Sequence, residues 1–314
     1  MSAAPDGLLI IAKPTGMTSH DVVARVRRLA RTRKVGHAGT LDPDATGVLV
    51  IGIGRATRLL GHLSGQGKSY SATVRLGVTT VTDDAAGEVL TAPGVAALGD
   101  DLGLAMAQVL AAAQTLRGEI LQVPSAVSAI KVDGERAYDR VRRGEDVVLA
   151  ARPVTVSSLE LSGCRAATSA AGVAVLDVEL DCHVSSGTYV RALARDLGAA
   201  LGTGGHLTRL SRTASGPFSL AQSHPLQSFL AADGNVDTEL VDRAVLPLAA
   251  AMAMAFGVRR VDAETARIVS HGGRLARDGE ADGPVAVLGP DGQALALMET
   301  DGARLIPLAV LAGG

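Results

Sequence analysis

The stretch from Gly36 to Val50, Gly-His-Ala-Gly-Thr-Leu-Asp-Pro-Asp-Ala-Thr-Gly-Val-Leu-Val, constrains the chain more than any other. Gly36, Gly39 and Gly47 permit positive φ or close backbone approach, and Pro43 drives Asp42 away from the helical region toward an extended conformation. A stiff turn presenting one carboxylate is expected. Beyond Gly47 the apolar run Val48-Leu49-Val50-Ile51 reads as a buried strand, which would carry the turn on a rigid element. A lone Asp-Pro is usually a surface turn ahead of a core strand. Here the concentration of glycine and proline over the whole run points to a functional loop.

With 314 residues the chain can bury a large core, and two domains are expected from its length. Its 47% hydrophobic residues are largely Ala, Val and Leu, and no uninterrupted apolar run is long enough to cross a bilayer. The start, Met-Ser-Ala-Ala-Pro-Asp-Gly, lacks the basic and apolar regions of a signal peptide, so a cytoplasmic protein with no membrane partner is expected. Cys164 and Cys182 lie in alternating segments that suit reduced core thiols, with a single bridge as the alternative. None of the seven histidines has the paired spacing of a zinc site, so no metal is expected.

The net charge of −2 hides an uneven distribution. Arg25, Arg27, Arg28, Arg31, Arg33 and Lys34 crowd one short stretch, and Arg136, Arg140, Arg142 and Arg143 form a second group. One such cluster reads equally well as a solvated helix face or an RNA contact. Two clusters flanking the candidate catalytic region favour a polyanion.

Taken in order, Gly7 to Ala12 reads as a strand, followed by a Lys13-Pro14-Thr15-Gly16 turn. Thr18 or Ser19 would cap a helix from about His20 to Thr32, with Val22, Val23, Val26, Leu29 and Ala30 as its buried stripe. Gly52-Ile53-Gly54-Arg55-Ala56-Thr57 invites comparison with a dinucleotide-binding turn, but Thr57 stands where a third glycine is needed. Lys68 to Leu76 alternates as a strand with Tyr70, Ala72 and Val74 on one face. Thr79 to Gly87, a helix over Asp101 to Leu116 and a strand over Glu119 to Val123 read as structural. Val154 to Leu161 and Val173 to Cys182 are further strands. Thr188 or Ser186 would cap a helix over Tyr189 to Leu201, stopped by Gly202. Pro247 should break a helical Ala/Met-rich region that begins near Asp237. A boundary is expected between Ala255 and Val261, followed by a helix capped by Asp262 and short strands at Val285 to Leu288, Ala294 to Met298 and Leu305 to Val310.

Five separated motifs over roughly residues 7 to 220 closely resemble the TruB family of bacterial tRNA pseudouridine synthases. They are Lys13-Pro14-Thr15-Gly16-Met17-Thr18-Ser19, the Gly-His-Ala-Gly-Thr-Leu-Asp-Pro run, Lys68-Ser69-Tyr70-Ser71-Ala72, Gly187-Thr188-Tyr189-Val190-Arg191, and Leu210-Ser211-Arg212-Thr213. The resemblance implies that uridine 55 in the T loop of tRNA is converted to pseudouridine without a cofactor. It makes Asp42 the catalytic aspartate, Tyr70 the aromatic that stacks on the base, and Arg191 the partner of Asp42. An arginine beside Asp42 would keep the carboxylate ionised and fix its orientation. Tyr189 would lie beside Arg191, Leu210 would be an apolar wall beneath the uracil, and His37 would fill the space the base vacates. A turn histidine bonding its own backbone is the competing reading of His37. Lys13, Lys131 and Arg212 complete the substrate-binding set, with Lys13 supporting the Asp42 loop rather than doing chemistry.

Residues Pro124 to Pro153 resemble the family's insertion that closes over RNA, although Val127 occupies a position often aromatic in the family. The implied fold is α+β, a mixed, mostly antiparallel central sheet flanked by helices. The implied domains are a catalytic domain over residues 1–255, with the insertion at about 124–153, and a small β-rich PUA-like RNA-binding module over 256–314. The alternating strands alone support only a mixed α and β chain. The expected partner is the T arm of tRNA, bound by a monomer. The rival class is a non-catalytic tRNA-binding or tRNA-folding protein that would use the same basic face and be indifferent to Asp42.

Overall fold

A computed structural model describes residues 3–125, 131–132, 135–136, 149–231 and 233–312. It divides into two compact units, Met1–Gln66 with Ala214–Gly314, and Gly67–Thr213.

In the first unit the strand Gly7–Lys13 pairs antiparallel with Thr46–Ile53, Ile10 opposite Val50 and Lys13 opposite Gly47. Both strands are buried almost throughout, which is why they read as continuous apolar runs rather than alternations. The short strand Val35–His37 joins the far end of Thr46–Ile53, and His224–Pro225 and Leu246–Pro247 pair along Gly7–Lys13. The helix Ser19–Leu29 begins with a reciprocal capping box, in which the Asp21 amide donates to the Thr18 hydroxyl and the Thr18 amide donates to the Asp21 carboxylate. Its stripe of Val22, Val23, Val26 and Leu29 is buried, each side chain contributing about 1.5–3 kcal/mol. Arg25, Arg27 and Arg28 are exposed. Pro247 lies between helices Thr238–Ala244 and Leu248–Ala255, at the N-cap position of the second.

The C-terminal part of this unit is a five-stranded sheet in the order Gly257–Arg260, Pro284–Leu288, Ala294–Asp301, Arg304–Val310, Leu275–Ala276. Only its first pair is parallel. Asp262 caps the helix Ala263–Ser270 through the Thr265 amide. Val269, Val287, Met298 and Leu305 form one core, while Ala286, Leu297 and Leu311 share another with Leu8, Val48 and Met252.

The second unit carries strands in the order Gly205–Ser215, Lys68–Leu76, Ala174–Val184, Arg152–Thr168, Gly118–Gln122. The last four run antiparallel to their neighbours, with Tyr70 opposite Cys182 and Gln122 opposite Arg152. The sheet therefore alternates direction as expected for a mostly antiparallel fold. The helix Val190–Ala200 buries Leu193, Ala194 and Leu197 and packs on the strand Lys68–Leu76 and the helix Leu102–Ala113. Its last turn touches backbone directly: a Cβ on Gly198 would stand 2.2 Å from the Gly204 carbonyl carbon, and one on Gly205 would stand 2.6 Å from the Ala194 oxygen. Arg152–Thr168 is much longer than the Val154 to Leu161 alternation predicts. A register shift between Leu161 and Gly163 breaks the two-residue period, while pairing with Ala174–Val184 continues beyond it. Among the described residues no helix is long and apolar enough to cross a membrane.

Candidate active site

Asp42, His37 and Lys13 belong to the first unit. Lys13 is only 1% exposed, and its ammonium donates to the carbonyl oxygens of Pro14 at 2.9 Å, Met17 at 2.7 Å and Pro43 at 2.8 Å. A buried cation therefore ties the Lys13 to Met17 turn to the residue after Asp42, with neutral oxygens replacing water. The Gly16 amide reaches the same Pro43 oxygen at 2.9 Å. On the other side of Asp42, the buried Ser19 hydroxyl donates to the Leu41 carbonyl at 3.1 Å and accepts from the Leu41 amide at 2.9 Å. Asp42 itself is half-buried, and its carbonyl accepts from the Ala45 amide at 3.2 Å. Of the carboxylate's two peptide neighbours, Leu41 is thus bolted to the start of the basic helix and Pro43 to the strand end and turn that precede it. Gly39 and Gly47 have φ of +101° and +106°, while Gly36 answers to a different need: a Cβ there would stand 2.8 Å from Leu60. The His37 ring meets His20 edge-on at 5.5 Å, a contact absent from the sequence reading.

Tyr70, Tyr189, Arg191, Leu210 and Arg212 belong to the second unit. Tyr70 is buried in its strand, and the Cys182 thiol opposite it is pushed up to about 12 by burial. Lys68, two residues before Tyr70, is buried, and desolvation, with added repulsion from Arg212, brings its ammonium down to about 8. Arg212 is 1% exposed and Leu210 is half-buried on the strand Gly205–Ser215. Arg191 lies in the first turn of Val190–Ala200, is 5% exposed, and donates to the Thr82 carbonyl at 2.8 Å with the Asp84 carboxylate at 3.6 Å. One turn on, Arg195 pairs with Asp83 at 3.3 Å.

The sequence reading missed Thr82, Asp83 and Asp84, which it took for an ordinary turn. Asp83 has φ of +58°, and burial pushes its carboxyl above the usual range against the pull of the Ser125 hydroxyl and the guanidiniums of Arg195 and Arg191. Two adjacent carboxylates in a turn-rich segment were the available signal. The expected Thr188 or Ser186 cap is also corrected. Tyr189 is the N-cap residue and makes no side-chain cap; its amide donates to Gln122, while Ser185 accepts from the Thr155 amide. Of Lys131 and Arg136 only the backbone is described, in strands Lys131–Val132 and Glu135–Arg136 paired with each other. Val127, Tyr138, Arg140, Arg142 and Arg143 lie outside the described residues. Among the described residues no cluster of three metal-ligating side chains occurs.

The Asp42 turn of the first unit presents a carboxylate, and the Thr82 to Asp84 turn of the second grips the guanidiniums of Arg191 and Arg195. Residues 27–190 match the profile of the TruB family pseudouridylate synthase N-terminal domain. Residues 191–253 match the tRNA pseudouridylate synthase B C-terminal domain, and residues 256–312 the tRNA pseudouridine synthase II C-terminal profile. The chain is 49% identical over 311 residues to the tRNA pseudouridine synthase B of Streptomyces griseus, covering 99% of both chains. It is 51% identical over 308 residues to that of Thermobifida fusca, covering 98% of this chain and 99% of the relative. Among solved structures, a chain in a Cbf5-Nop10-Gar1 complex superposes with a TM-score of 0.70 at 26% identity, covering 98% of this chain and 85% of that one.

Proposed function

The chain belongs to the TruB family of pseudouridine synthases, and from that premise we propose that it isomerises uridine 55 in the T loop of tRNA to pseudouridine. The bond from N1 to C1′ of the ribose breaks, the uracil turns, and C5 bonds to C1′ while the C5 proton is lost and N1 takes one up. Atoms balance within the nucleotide, so the reaction consumes nothing and calls for no cofactor.

Asp42 is the residue assigned to the ribose, either attacking C1′ or removing the C2′ proton to give a glycal. Tyr70 would stack on the base and assist at C5, and Arg191 would organise Asp42. Tyr189 and Leu210 would bound the uracil, and His37 would occupy the stack it leaves. Lys13 acts through the Pro43 carbonyl by holding the Asp42 turn. Arg212 and Lys131 complete the contacts to RNA. Extruding a stacked base costs about a few kcal/mol. Phosphate contacts from the exposed Arg25, Arg28, Arg33 and Lys34 would offset it. The five-stranded C-terminal sheet takes the part of a PUA-like RNA-binding module, and a monomer acts on tRNA in the cytoplasm.

The observation that carries the reading is the Asp42 turn: a half-buried carboxylate whose flanking peptides are pinned by Ser19 and by a buried lysine, beside an exposed basic helix. The test is pseudouridine mapping, by chemical labelling and primer extension, of an unmodified tRNA transcript treated with wild type or with Asp42→Asn. A single stop in the T loop that disappears in the variant, with tRNA binding retained, is the expected result. Absence of a stop with wild type that still binds tRNA would favour a non-catalytic RNA-binding protein.

A further inference from the structure

The strand Gly118–Gln122 ends in a residue whose side chain points back into the molecule: Gln122 is 2% exposed. Its amide makes a reciprocal pair with the backbone of Tyr189. Gln122 Nε2 donates to the Tyr189 carbonyl at 3.1 Å, and the Tyr189 amide donates to Gln122 Oε1 at 2.8 Å. A side-chain amide here takes the place of a β-bridge partner. Tyr189 is the N-cap residue of Val190–Ala200, and its carbonyl also accepts the Leu193 amide that opens the helix. The clamp therefore fixes the first peptide of the helix, two residues before Arg191. One residue past Gln122, the Val123 carbonyl accepts from Arg195 at 2.7 Å, so consecutive residues hold the helix at its start and a turn and a half further on. Gln122 is itself fixed in the sheet opposite Arg152.

On the isomerase reading above, we propose that Gln122 is a positioning residue that sets the backbone from which Tyr189 and Arg191 project. An arginine side chain magnifies small backbone rotations at its tip, and a misplacement of about 1 Å at a reacting centre can cost on the order of a hundredfold in rate. A residue that merely filled the space would be replaceable by any side chain of similar volume. A residue that acts through its two hydrogen bonds would not.

Gln122→Met keeps the volume and removes both bonds. In single-turnover assays with saturating protein its rate constant should fall roughly ten- to a hundredfold, while tRNA affinity stays within about twofold of wild type and thermal unfolding stays above the assay temperature. Gln122→Glu supplies the sharper readout. A protonated carboxyl donates its O–H to the Tyr189 carbonyl and accepts the Tyr189 amide, restoring the pair, whereas a carboxylate faces the carbonyl with like polarity. Among the described residues, Arg152 lies opposite it across the strands, Arg191 and Arg195 stand on the helix it clamps, and Asp83 pairs with Arg195. Burial raises this carboxyl and the guanidiniums lower it from an ordinary value of about 4.3, so the rate of Gln122→Glu, divided by that of wild type at each pH, should climb as pH falls toward about 5. A Met variant at wild-type rate, or a loss of binding in proportion to rate, would each overturn the proposal. Wild type that forms no pseudouridine would overturn the isomerase reading instead, and the two failures are distinct.

Discussion

The loop around Asp42 and the loop around Asp83 solve the same problem by different means. Each holds an acidic turn rigid with buried basic groups. Around Asp42 the Lys13 ammonium is solvated by three carbonyl dipoles, and two of those oxygens come from residues within four positions of it. Around Asp83 two arginines, Arg191 and Arg195, face two carboxylates and a carbonyl, brought together from loop and helix more than a hundred residues apart. The first arrangement uses one charge, with the neutral Ser19 hydroxyl and Gly16 amide beside it. The second is distributed, with each charge leaning on several others, so the loss of one member should be partly absorbed by the rest.

That contrast can be broken by removing members from each loop. Lys13→Met removes three hydrogen bonds and leaves the Pro14 and Met17 oxygens without that donor while the Gly16 amide still reaches Pro43, and the expected loss is about 2–3 kcal/mol of stability, a fall of roughly 5 °C in thermal midpoint, together with turnover. A variant that melts normally would show that the Asp42 loop is not keyed on its lysine.

Asp83→Asn should do far less, with a sign set by pH. The Asp83 carboxyl titrates higher in the folded chain than its unfolded value of 3.8. Its contribution is therefore fully favourable below that value and is lost as pH rises through the folded one. In urea unfolding, wild type should lose stability relative to Asp83→Asn as pH rises above about 4. A gap that widens in the opposite direction would mean that the Arg195 pair outweighs desolvation.

The smallest effect is expected from the exposed arginines, which belong to neither network. Arg25→Ala with Arg28→Ala should leave stability and the single-turnover rate untouched, weaken tRNA binding a few-fold, and flatten the plot of log affinity against log salt by about 0.7–0.9 per lost phosphate contact. An unchanged slope would move the RNA off this helix.

The same contrast explains what the sequence made legible. The Asp42 turn announced itself because its special residues are contiguous, and the strand Lys68–Leu76 was readable to the residue because burial alternates along most of it. The fold class and family followed from motifs of this local kind. The Asp83 loop was read as a plain turn because the partners that give it meaning lie at Arg191 and Arg195. The helix cap failed for a related reason. Capping rules look to nearby Ser and Thr, whereas the group that meets Tyr189 is an amide 67 residues earlier in the chain. His20 was read only as the start of a helix, since nothing in its neighbourhood tells of a ring at position 37 lying across it.

The backbone contact beneath the helix Val190–Ala200 has a consequence for how this protein can drift. Any missense change of a glycine codon at its first or second base introduces a residue with a Cβ, and at Gly198 that atom would fall 2.2 Å from the Gly204 carbonyl carbon. No single nucleotide step leads from Gly198 to a tolerated neighbour unless the helix lifts from the Gly204 turn, carrying Arg191 with it. Genetic change that the exposed Arg25 surface absorbs freely is blocked at this position, so a substitution library should recover glycine alone there.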